Sequence, residues 1–131
     1  TSGPCSVSQK AAEAAYTLSQ DCVEDMRLAF ERRRNLIVKL AKDIPELEVN
    51  VPEGAFYLFP KCNSLFGKRY DKYEIRNSTD FAMYLLDVAH VATVAGDAFG
   101  DPDCFRISYA ASEENIREAM HRIKEAIGRL Q

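Results

Sequence analysis

The sequence lacks the features that mark several classes of protein. No apolar run approaches the roughly 20 residues that a helix needs to cross a bilayer, so no membrane partner is expected. Positive charge is not in excess, because 17 Lys and Arg stand against 20 Asp and Glu, which gives a formal net charge of -3. Dedicated nucleic-acid binders are usually strongly basic, so we expect no nucleic-acid partner either.

Cysteine is scarce and widely spaced. The four cysteines are Cys5, Cys22, Cys62 and Cys104, with no C-x-x-C pair and no histidine partner nearby. This spacing does not suit a zinc site, so we expect no metal. The density is too low for a disulfide framework. We therefore predict a cytoplasmic protein whose cysteines act as small buried apolar side chains.

The motifs of phosphate binding and covalent catalysis are also absent. Neither G-x-G-x-x-G nor G-x-x-x-x-G-K-[ST] occurs, so no glycine-rich phosphate loop is predicted. No G-x-S-x-G sequence or Cys–His arrangement indicates an activated nucleophile. What is present is ordinary: 131 residues, 47% hydrophobic and 28% charged, suit one globular domain with its own core.

Helical patterns open and close the sequence. An alanine-rich helix is predicted over residues 6–18, and a second over residues 22–44, where apolar residues recur three, four and seven apart before Pro45. Nothing between them requires a break, which leaves open a single kinked rod. A third helix is predicted over residues 78–89, and Ser112 caps a fourth. The apolar stripe of the fourth helix comprises Ile116, Met120, Ile123, Ile127 and Leu130.

Strand patterns lie between these helices. Residues 47–51 and 55–59 are apolar and flank a Pro-Glu-Gly turn, so a hairpin is predicted there. Residues 61–77 show no period and are predicted to form a long surface loop. Residues 90–95 and 104–110 are the remaining strand candidates. The predicted fold class is α+β in the order α-α-β-β-α-β-β-α, with a small antiparallel or mixed sheet covered on one face by helices.

Arg106 has the clearest chemical implication of any single residue. It alternates with Phe105 and Ile107, so in a strand it faces away from them. A guanidinium there could bind a carboxylate through its planar fork, or it could be a solvated arginine on the exposed face of the sheet. Gly54 and Gly96 also have two possible interpretations. Each could let the backbone approach a ligand closely, or each could simply form a turn.

Several segments together resemble one known family. They are residues 52–60 (PEGAFYLFP), 91–100 (VATVAGDAFG), 105–110 (FRISYA) and 112–116 (SEENI), and the opening TSGP and the SQKAA of the first helix also match. In this order and spacing they resemble the C-terminal part of a fold-type I, class I/II aminotransferase that depends on pyridoxal 5'-phosphate, close to the aspartate aminotransferases. The resemblance covers essentially all 131 residues.

The resemblance implies roles for individual residues. Arg106 matches the arginine that binds the α-carboxylate of the substrate, and Phe56 matches an aromatic residue that lines the substrate pocket. Gly96 and Phe99 match a loop that closes over the substrate. Two further residues match a segment that reaches the active site of the neighbouring subunit in a homodimer, namely Ser2 and Gly3.

The same resemblance implies that the rest of the active site lies elsewhere. In this family the Schiff-base lysine and most cofactor ligands lie upstream of the segment that matches Thr1, and no lysine here matches that lysine. We therefore expect a single domain, the C-terminal small domain of a larger enzyme, with no catalytic residue of its own. Residues 1–44 would form interdomain and long connecting helices, and residues 45–131 the α+β core. Pyridoxal 5'-phosphate would not bind to this part alone.

The resemblance also implies a function and an exposed surface. The full-length protein would transfer an amino group between an amino acid and a 2-oxo acid, and the surface toward its other domain would expose Phe56, Phe99 and part of the first helix. Two alternatives stay open. The same fold serves pyridoxal-phosphate-dependent lyases and acyltransferases, and a non-catalytic module that senses an amino acid finds support in the basic run at residues 32–34.

Overall fold

The computed structural model describes residues 2–131, and Thr1, which belongs to the matching segment, lies outside the described residues. Among the described helices, none combines the length and the apolarity that crossing a bilayer demands. The helices are α1 (Ser6–Thr17), α2 (Asp21–Lys42), α3 (Ser78–Tyr84) and α4 (Glu113–Gly128). The strands are β1 (Tyr57–Leu58), β2 (Arg69–Tyr70), β3 (Tyr73–Glu74), β4 (Val94–Ala95) and β5 (Phe105–Ser108).

Strand β5 is the centre of a three-stranded antiparallel sheet in the order β1-β5-β4. Leu58 of β1 lies opposite Ile107, and Ala95 of β4 lies opposite Phe105. Residues directly opposed in this way share one face of the sheet, and helices α2, α3 and α4 cover that face. Phe81 of α3 packs edge-to-face on Phe105, with ring centroids 4.9 Å apart. Full burial of one such side chain stabilises the folded domain by about 1.5–3 kcal/mol. Helices packed on one face of a small antiparallel sheet confirm the predicted α+β class.

The other face of the sheet is open. Tyr57 pairs with Ser108, and Val94 pairs with Arg106, so these four side chains project together away from the core. Val94 and Ser108 are exposed, whereas Tyr57 and Arg106 are partly buried. The strands therefore separate an apolar face that stabilises the domain from a face that is free to meet other groups.

Helix α4 agrees with its prediction. Ser112 Oγ accepts a hydrogen bond from the Asn115 N–H at 3.2 Å, which caps the helix. Tyr84 of α3 donates its hydroxyl to the Ala126 carbonyl at 2.7 Å, and this bond fixes α4 against α3. All members of the predicted stripe are buried, namely Ile116, Met120, Ile123, Ile127 and Leu130.

Helices α1 and α2 are separate, so the alternative of a single kinked rod is excluded. Leu18 is extended, with ψ 173°, and its N–H binds the Ala14 carbonyl. The side-chain amide of Gln20 donates to the carbonyls of Ala15 and Leu18 at 3.0 and 2.9 Å. These bonds satisfy carbonyls that the end of a helix leaves without partners. Helix α2 then runs to Lys42, slightly short of its predicted end.

Helix α1 contributes nothing to the core. None of its residues is buried, and Tyr16 and Leu18 expose 89% and 68% of their surface. Phe56 and Phe99 are also exposed, at 39% and 47%. The expected exposed apolar residues are therefore present on the first helix, just before β1 and in the turn after β4.

The predicted hairpin is wrong. Its first strand is absent, and a single antiparallel bridge joins Glu48 to Lys61 in its place. Its second strand contains β1, which pairs with β5 instead. Ala55 adopts left-handed backbone, with φ 57°, and this turns the chain just before β1. The Tyr109 N–H then binds the Phe56 carbonyl at 2.9 Å, which directs β1 to β5.

The segment predicted to be a long loop is partly structured. Strands β2 and β3 form an antiparallel hairpin around Asp71, whose φ is 51°. The same segment buries Cys62, Leu65 and Ile75, but three apolar residues spread through a polar stretch give no period. The predicted strand at residues 90–95 is shorter than expected, since only Val94 and Ala95 form β4. A π-helical turn over Leu85–Ala89 continues α3 to its predicted end. The observed order is α-α-β-β-β-α-β-β-α.

The four cysteines are free, and two of them are buried while the other two are exposed. Cys62 and Cys104 are buried, as predicted, and their burial raises the pKa of each thiol to about 12. Both therefore stay protonated and unreactive near neutral pH. The burial prediction is wrong for Cys5 and Cys22, which are exposed. They lie beside α1 and in the first turn of α2, where no core covers the helices.

Gly96 is required by the packing of β4 beside the loop that leads to β5. Its N–H donates to the Cys104 carbonyl at 2.9 Å and to Ser78 Oγ at 3.3 Å. A Cβ atom at this position would lie 2.0 Å from the Asp101 carbonyl oxygen, far inside van der Waals contact. The backbone that approaches Gly96 closely is therefore the chain's own.

Substituting Gly96→Ala should destabilise the domain. The methyl group must displace the Asp101 carbonyl, and overpacking of this kind costs about 1–3 kcal/mol. Urea denaturation of the chain would measure the change in the free energy of unfolding. Gly128→Ala is the matched control, because a Cβ there meets nothing within 4 Å and alanine favours the helix. Equal stability of both variants would contradict the role given to Gly96.

Thr93 carries a buried hydroxyl, and its Oγ1 has no hydrogen-bond partner within residues 2–131. Thr93→Val keeps the shape of the side chain and removes the desolvated polar atom. We expect the free energy of unfolding to rise by about 1 kcal/mol, as measured by urea denaturation against the original chain. A less stable valine variant would contradict this expectation.

Candidate functional site

Arg106 lies in the middle of β5 on the open face of the sheet. Its guanidinium carbon Cζ is 4.4 Å from the ring centroid of Tyr57 and 4.4 Å from that of Phe99. Tyr57 comes from the neighbouring strand β1, and Phe99 ends the 3-10 turn Gly96–Phe99 after β4. The three side chains thus meet because β5 pairs with a strand on each side.

The Arg106 guanidinium has no acidic partner among residues 2–131. Ion pairs occupy several other arginines, such as Arg27 with Glu24 and Arg76 with Asp80, both at 2.8 Å. No carboxylate of the described residues lies within 4.0 Å of Arg106, and no acceptor of that part of the chain binds its N–H groups. Its donors are therefore available to an anion that arrives from outside this domain.

Phe56 precedes Tyr57 in the chain and packs on the ring that covers Arg106. Its ring centroid is 4.7 Å from that of Tyr57 and 5.8 Å from that of Phe30 in α2. Tyr109 fixes the backbone here, because its hydroxyl donates to the Ala55 carbonyl at 3.0 Å. Burial raises the pKa of Tyr109, so the hydroxyl keeps the proton that it donates. Phe56 therefore extends from a segment held in place by a buried tyrosine.

A shallow cleft opens next to Phe56, between α2 and the segment that precedes β1. Its volume is about 360 Å³, and Phe30, Arg34 and Tyr109 line it. Arg34 is not free there, because it binds Asn35 Oδ1 at 3.0 Å and lies 3.6 Å from Glu31. Arg27, Glu31 and Glu53 also line the cleft, and Arg27 is ion-paired with Glu24 and Glu31. The cleft therefore offers both charged and apolar contacts, and each of its arginines is already engaged.

Phe99 forms the other wall around Arg106. Its ring meets that of Phe59 edge-on, with centroids 6.0 Å apart. Gly96 sets the start of the turn that carries Phe99, and both its N–H and its carbonyl are bonded within the chain. The structure thus brings Phe99 to Arg106, and it brings Phe56 to Tyr57 rather than to the arginine itself. The visible contribution of Gly96 is to place the turn. Its contact with a substrate stays a prediction.

Ser2 and Gly3 lie apart from this group. Both are exposed before α1, and a Cβ on Gly3 would meet nothing within 4 Å. No hydrogen bond, ion pair or ring contact of the described residues joins them to Arg106. Their role at the active site of a neighbouring subunit stays a prediction, and their exposure leaves them free for it.

Two residues of the site were not identified from the sequence. Tyr57 covers one face of Arg106, and Tyr109 anchors the backbone beside Phe56. Alternation along β5 carries a signal for Tyr109, because it shares the buried face of Phe105 and Ile107. Tyr57 could be found only by pairing β1 with β5, and the sequence suggests a different partner for β1.

The described residues do not fit pyridoxal 5'-phosphate by themselves. The cofactor needs a lysine amine for a Schiff base, and no ion pair, hydrogen bond or ring contact joins a lysine to the group around Arg106. Lys10 lies on α1, 2.7 Å from Glu13 and 82% exposed, and Lys61 lies 3.5 Å from Glu48. No lysine of the described residues therefore lies in contact with this group to form a Schiff base.

Solved structures resemble this chain over nearly its whole length. The crystal structure of the aspartate aminotransferase from Rhizobium meliloti matches with a TM-score of 0.94 and 45% identity, over 100% of this chain and 33% of that one. The alanine aminotransferase from Pyrococcus furiosus matches with a TM-score of 0.82 and 30% identity, over 95% of this chain and 30% of that one. The fold is therefore that of the corresponding third of these proteins.

Sequence relatives give the same result. The chain is 47% identical over 131 residues to an aspartate aminotransferase of Rhizobium meliloti, covering 99% of this chain and 32% of the relative. It is 46% identical over 129 residues to a probable aspartate/prephenate aminotransferase of Rickettsia felis, covering 98% and 32%. The chain thus spans about a third of the length of these relatives. The family model for aminotransferase class I and II, a family that in general depends on pyridoxal 5'-phosphate, matches residues 1–123. This chain belongs to the class I and II aminotransferase family.

Proposed function

We propose that this chain is the C-terminal small domain of an aspartate-aminotransferase-like enzyme. The full-length protein would transfer an amino group between an amino acid and a 2-oxo acid. Membership of the family supports the reaction, and the observation that carries this domain's part in it is an arginine with free donors on an open face. Arg106 would bind the α-carboxylate of the substrate, with Phe56 and Phe99 lining the site.

The chemistry of Arg106 explains this assignment. A guanidinium presents two parallel N–H groups in one plane, and these match the two oxygens of a carboxylate in charge-assisted hydrogen bonds. The rings of Tyr57 and Phe99 each lie 4.4 Å from the guanidinium carbon, and a carboxylate would meet the edge of the group, where its N–H groups lie. Binding there would orient the carbon that bears the amino group, and orientation of this kind accounts for a large part of enzymatic rate enhancement.

This domain supplies no lysine for the cofactor, so we assign cofactor binding to the rest of the enzyme. Pyridoxal 5'-phosphate would be held by residues outside this chain, which contributes binding and orientation and no catalytic residue. Residues 45–131 would form the α+β core, to which Ile37, Val38 and Ala41 of α2 add buried side chains. Residues 1–44 would lead into the domain, and the exposed apolar residues of α1 would meet the rest of the enzyme.

The assembly proposed for the full-length protein is a cytoplasmic homodimer. Ser2 and Gly3 would reach the active site of the neighbouring subunit, and their exposure ahead of α1 supports this. The cytoplasm remains a prediction from the low density of cysteine.

The alternative of an amino-acid-sensing module loses its support. The basic run on α2 was the feature that favoured it. Arg33 packs over the Phe30 ring, with Cζ 5.4 Å from the centroid, and Arg34 binds Asn35. Two of the three arginines are thus engaged within the domain. Lyase or acyltransferase chemistry on the same fold would be separated from amino transfer by the products formed by the full-length protein.

Substituting Arg106→Lys in the full-length enzyme tests the carboxylate role. Lysine keeps the charge but loses the planar fork, so the substrate pivots, and a misplacement of about an ångström can cost roughly a hundredfold in rate. We expect kcat/KM for amino transfer to fall about 100-fold or more, with cofactor content and thermal stability retained. Arg69→Lys, on the exposed β2–β3 hairpin, is the matched control. Near-normal amino transfer by Arg106→Lys would show that the anchor lies elsewhere.

The 131-residue chain alone should not form an internal aldimine with pyridoxal 5'-phosphate. The Lys10 amine is exposed and ion-paired, and no lysine joins the group around Arg106. The test mixes chain and cofactor, follows the visible absorbance of an aldimine, and locates adducts by mass spectrometry after borohydride reduction. Weak labelling spread over several lysines is expected. A single stoichiometric adduct on Lys10 would refute the proposal that the cofactor lysine lies outside this chain.

A further inference from the structure

Tyr57 is the residue of the open face to which neither the family resemblance nor the proposed function gives a role. Its ring lies 4.4 Å from the guanidinium carbon of Arg106. Other cations of the described residues sit over a single ring at longer distances, Arg33 at 5.4 Å and Lys72 at 5.2 Å. Arg106 alone among residues 2–131 lies over two rings, those of Tyr57 and Phe99.

The two rings differ in how firmly the fold holds them. Tyr57 belongs to β1, where it pairs in register with Ser108 of β5, and its ring also packs on that of Phe56 at 4.7 Å. Phe99 ends a 3-10 turn and is 47% exposed. Tyr57 is therefore the fixed wall, built on the strand next to that of Arg106, and Phe99 is the outer one.

A planar cation that lies over two rings leaves its edge, where its N–H groups lie, for other partners. Ring faces attract a guanidinium through the electrostatic field of the π system, and stacking restricts rotation of the plane about the long arginine side chain. That side chain otherwise has several rotatable bonds, and ordering it would cost free energy at the moment of binding. A guanidinium ordered in advance avoids this cost, so the carboxylate meets donors that already lie in one plane.

We propose that Tyr57 is a positioning residue for substrate binding: it holds the plane of the Arg106 guanidinium so that a carboxylate is bound edge-on. This rests on the proposed role of Arg106 as the carboxylate anchor. The ring face of Tyr57 is the active feature, and its hydroxyl has no part in it. Tyr57 acts through Arg106, so its effect must disappear when the guanidinium is absent.

The test is a double-mutant cycle in the full-length enzyme. Tyr57→Leu and Tyr57→Phe are each made in the original background and together with Arg106→Gln, and kcat and KM for the amino-acid substrate are measured with the thermal midpoint of each variant. Tyr57→Leu should lower kcat/KM by about 3- to 30-fold, the range that one ring–cation contact supplies. The change should fall mainly on KM, because a binding group is left disordered.

Two comparisons separate positioning from mere packing. Tyr57→Phe keeps the ring and should stay within about 2-fold of the original enzyme. In the Arg106→Gln background, Tyr57→Leu should have less than about a 2-fold effect, since contacting residues that act as a unit are not additive. Tyr70→Leu, which removes a tyrosine ring from the β2–β3 hairpin, should leave kcat/KM unchanged and controls for the loss of a tyrosine as such.

The outcomes distinguish this inference from the function on which it rests. If Arg106→Gln retains amino transfer, the carboxylate role of Arg106 is wrong. If Arg106→Gln is impaired but Tyr57→Leu is equally harmful with and without the guanidinium, Tyr57 serves the fold alone and the inference is overturned. An active, stable Tyr57→Leu enzyme with unchanged KM overturns it as well. Should Tyr57→Leu fail to fold, Tyr57→Met replaces it in the same cycle with the same expected results.

Discussion

Strand β5 has a strand on each side, and this double pairing determines both the core and the candidate site. On one face, Phe105 and Ile107 meet Leu58 and the covering helices. On the other face the same four-residue strand carries Arg106, with Tyr57 from β1 on one side and the turn of Phe99 beyond β4 on the other. Since side chains alternate along a strand, the burial that stabilises the domain also directs the guanidinium outward. Core and site cannot be shifted in register independently of each other.

Sequence patterns sufficed where the signal is local. The stripe of α4, its Ser112 cap and the alternation around Arg106 depend on neighbours within a few residues, and all three agree with the structure. The fold class follows from the same elements, because helices with one apolar stripe must cover a sheet with one apolar face. Resemblance to a family added Phe99, which contacts Arg106, and Phe56, which contacts Tyr57, but their binding roles stay predictions.

The sequence failed where pairing is long-range or the backbone is unusual. Two apolar segments flanking a Pro-Glu-Gly turn have the pattern of a hairpin, yet Ala55 adopts a left-handed conformation, and β1 pairs with residues about fifty positions away. The β2–β3 hairpin was missed because its strands have two residues each and no period can develop. Tyr57 was missed for the same reason that the hairpin was predicted wrongly. Its contact with Arg106 can be inferred only when β1 is paired with β5.

Gly96 and Arg106, to which the family resemblance assigns contacts with the substrate, are under different physical constraints. Gly96 is buried with its N–H and carbonyl bonded, and the space for even one methyl group is taken by the Asp101 carbonyl. Arg106 makes no hydrogen bond or ion pair with residues 2–131, and only ring faces contact its guanidinium. A domain whose stability depended on Arg106 would have enclosed it with acceptors, since a buried cation without a partner is very costly. Arg106 is partly exposed, which keeps the free-energy cost of its unpaired charge low. Its N–H groups therefore stay available to an acceptor from outside the domain.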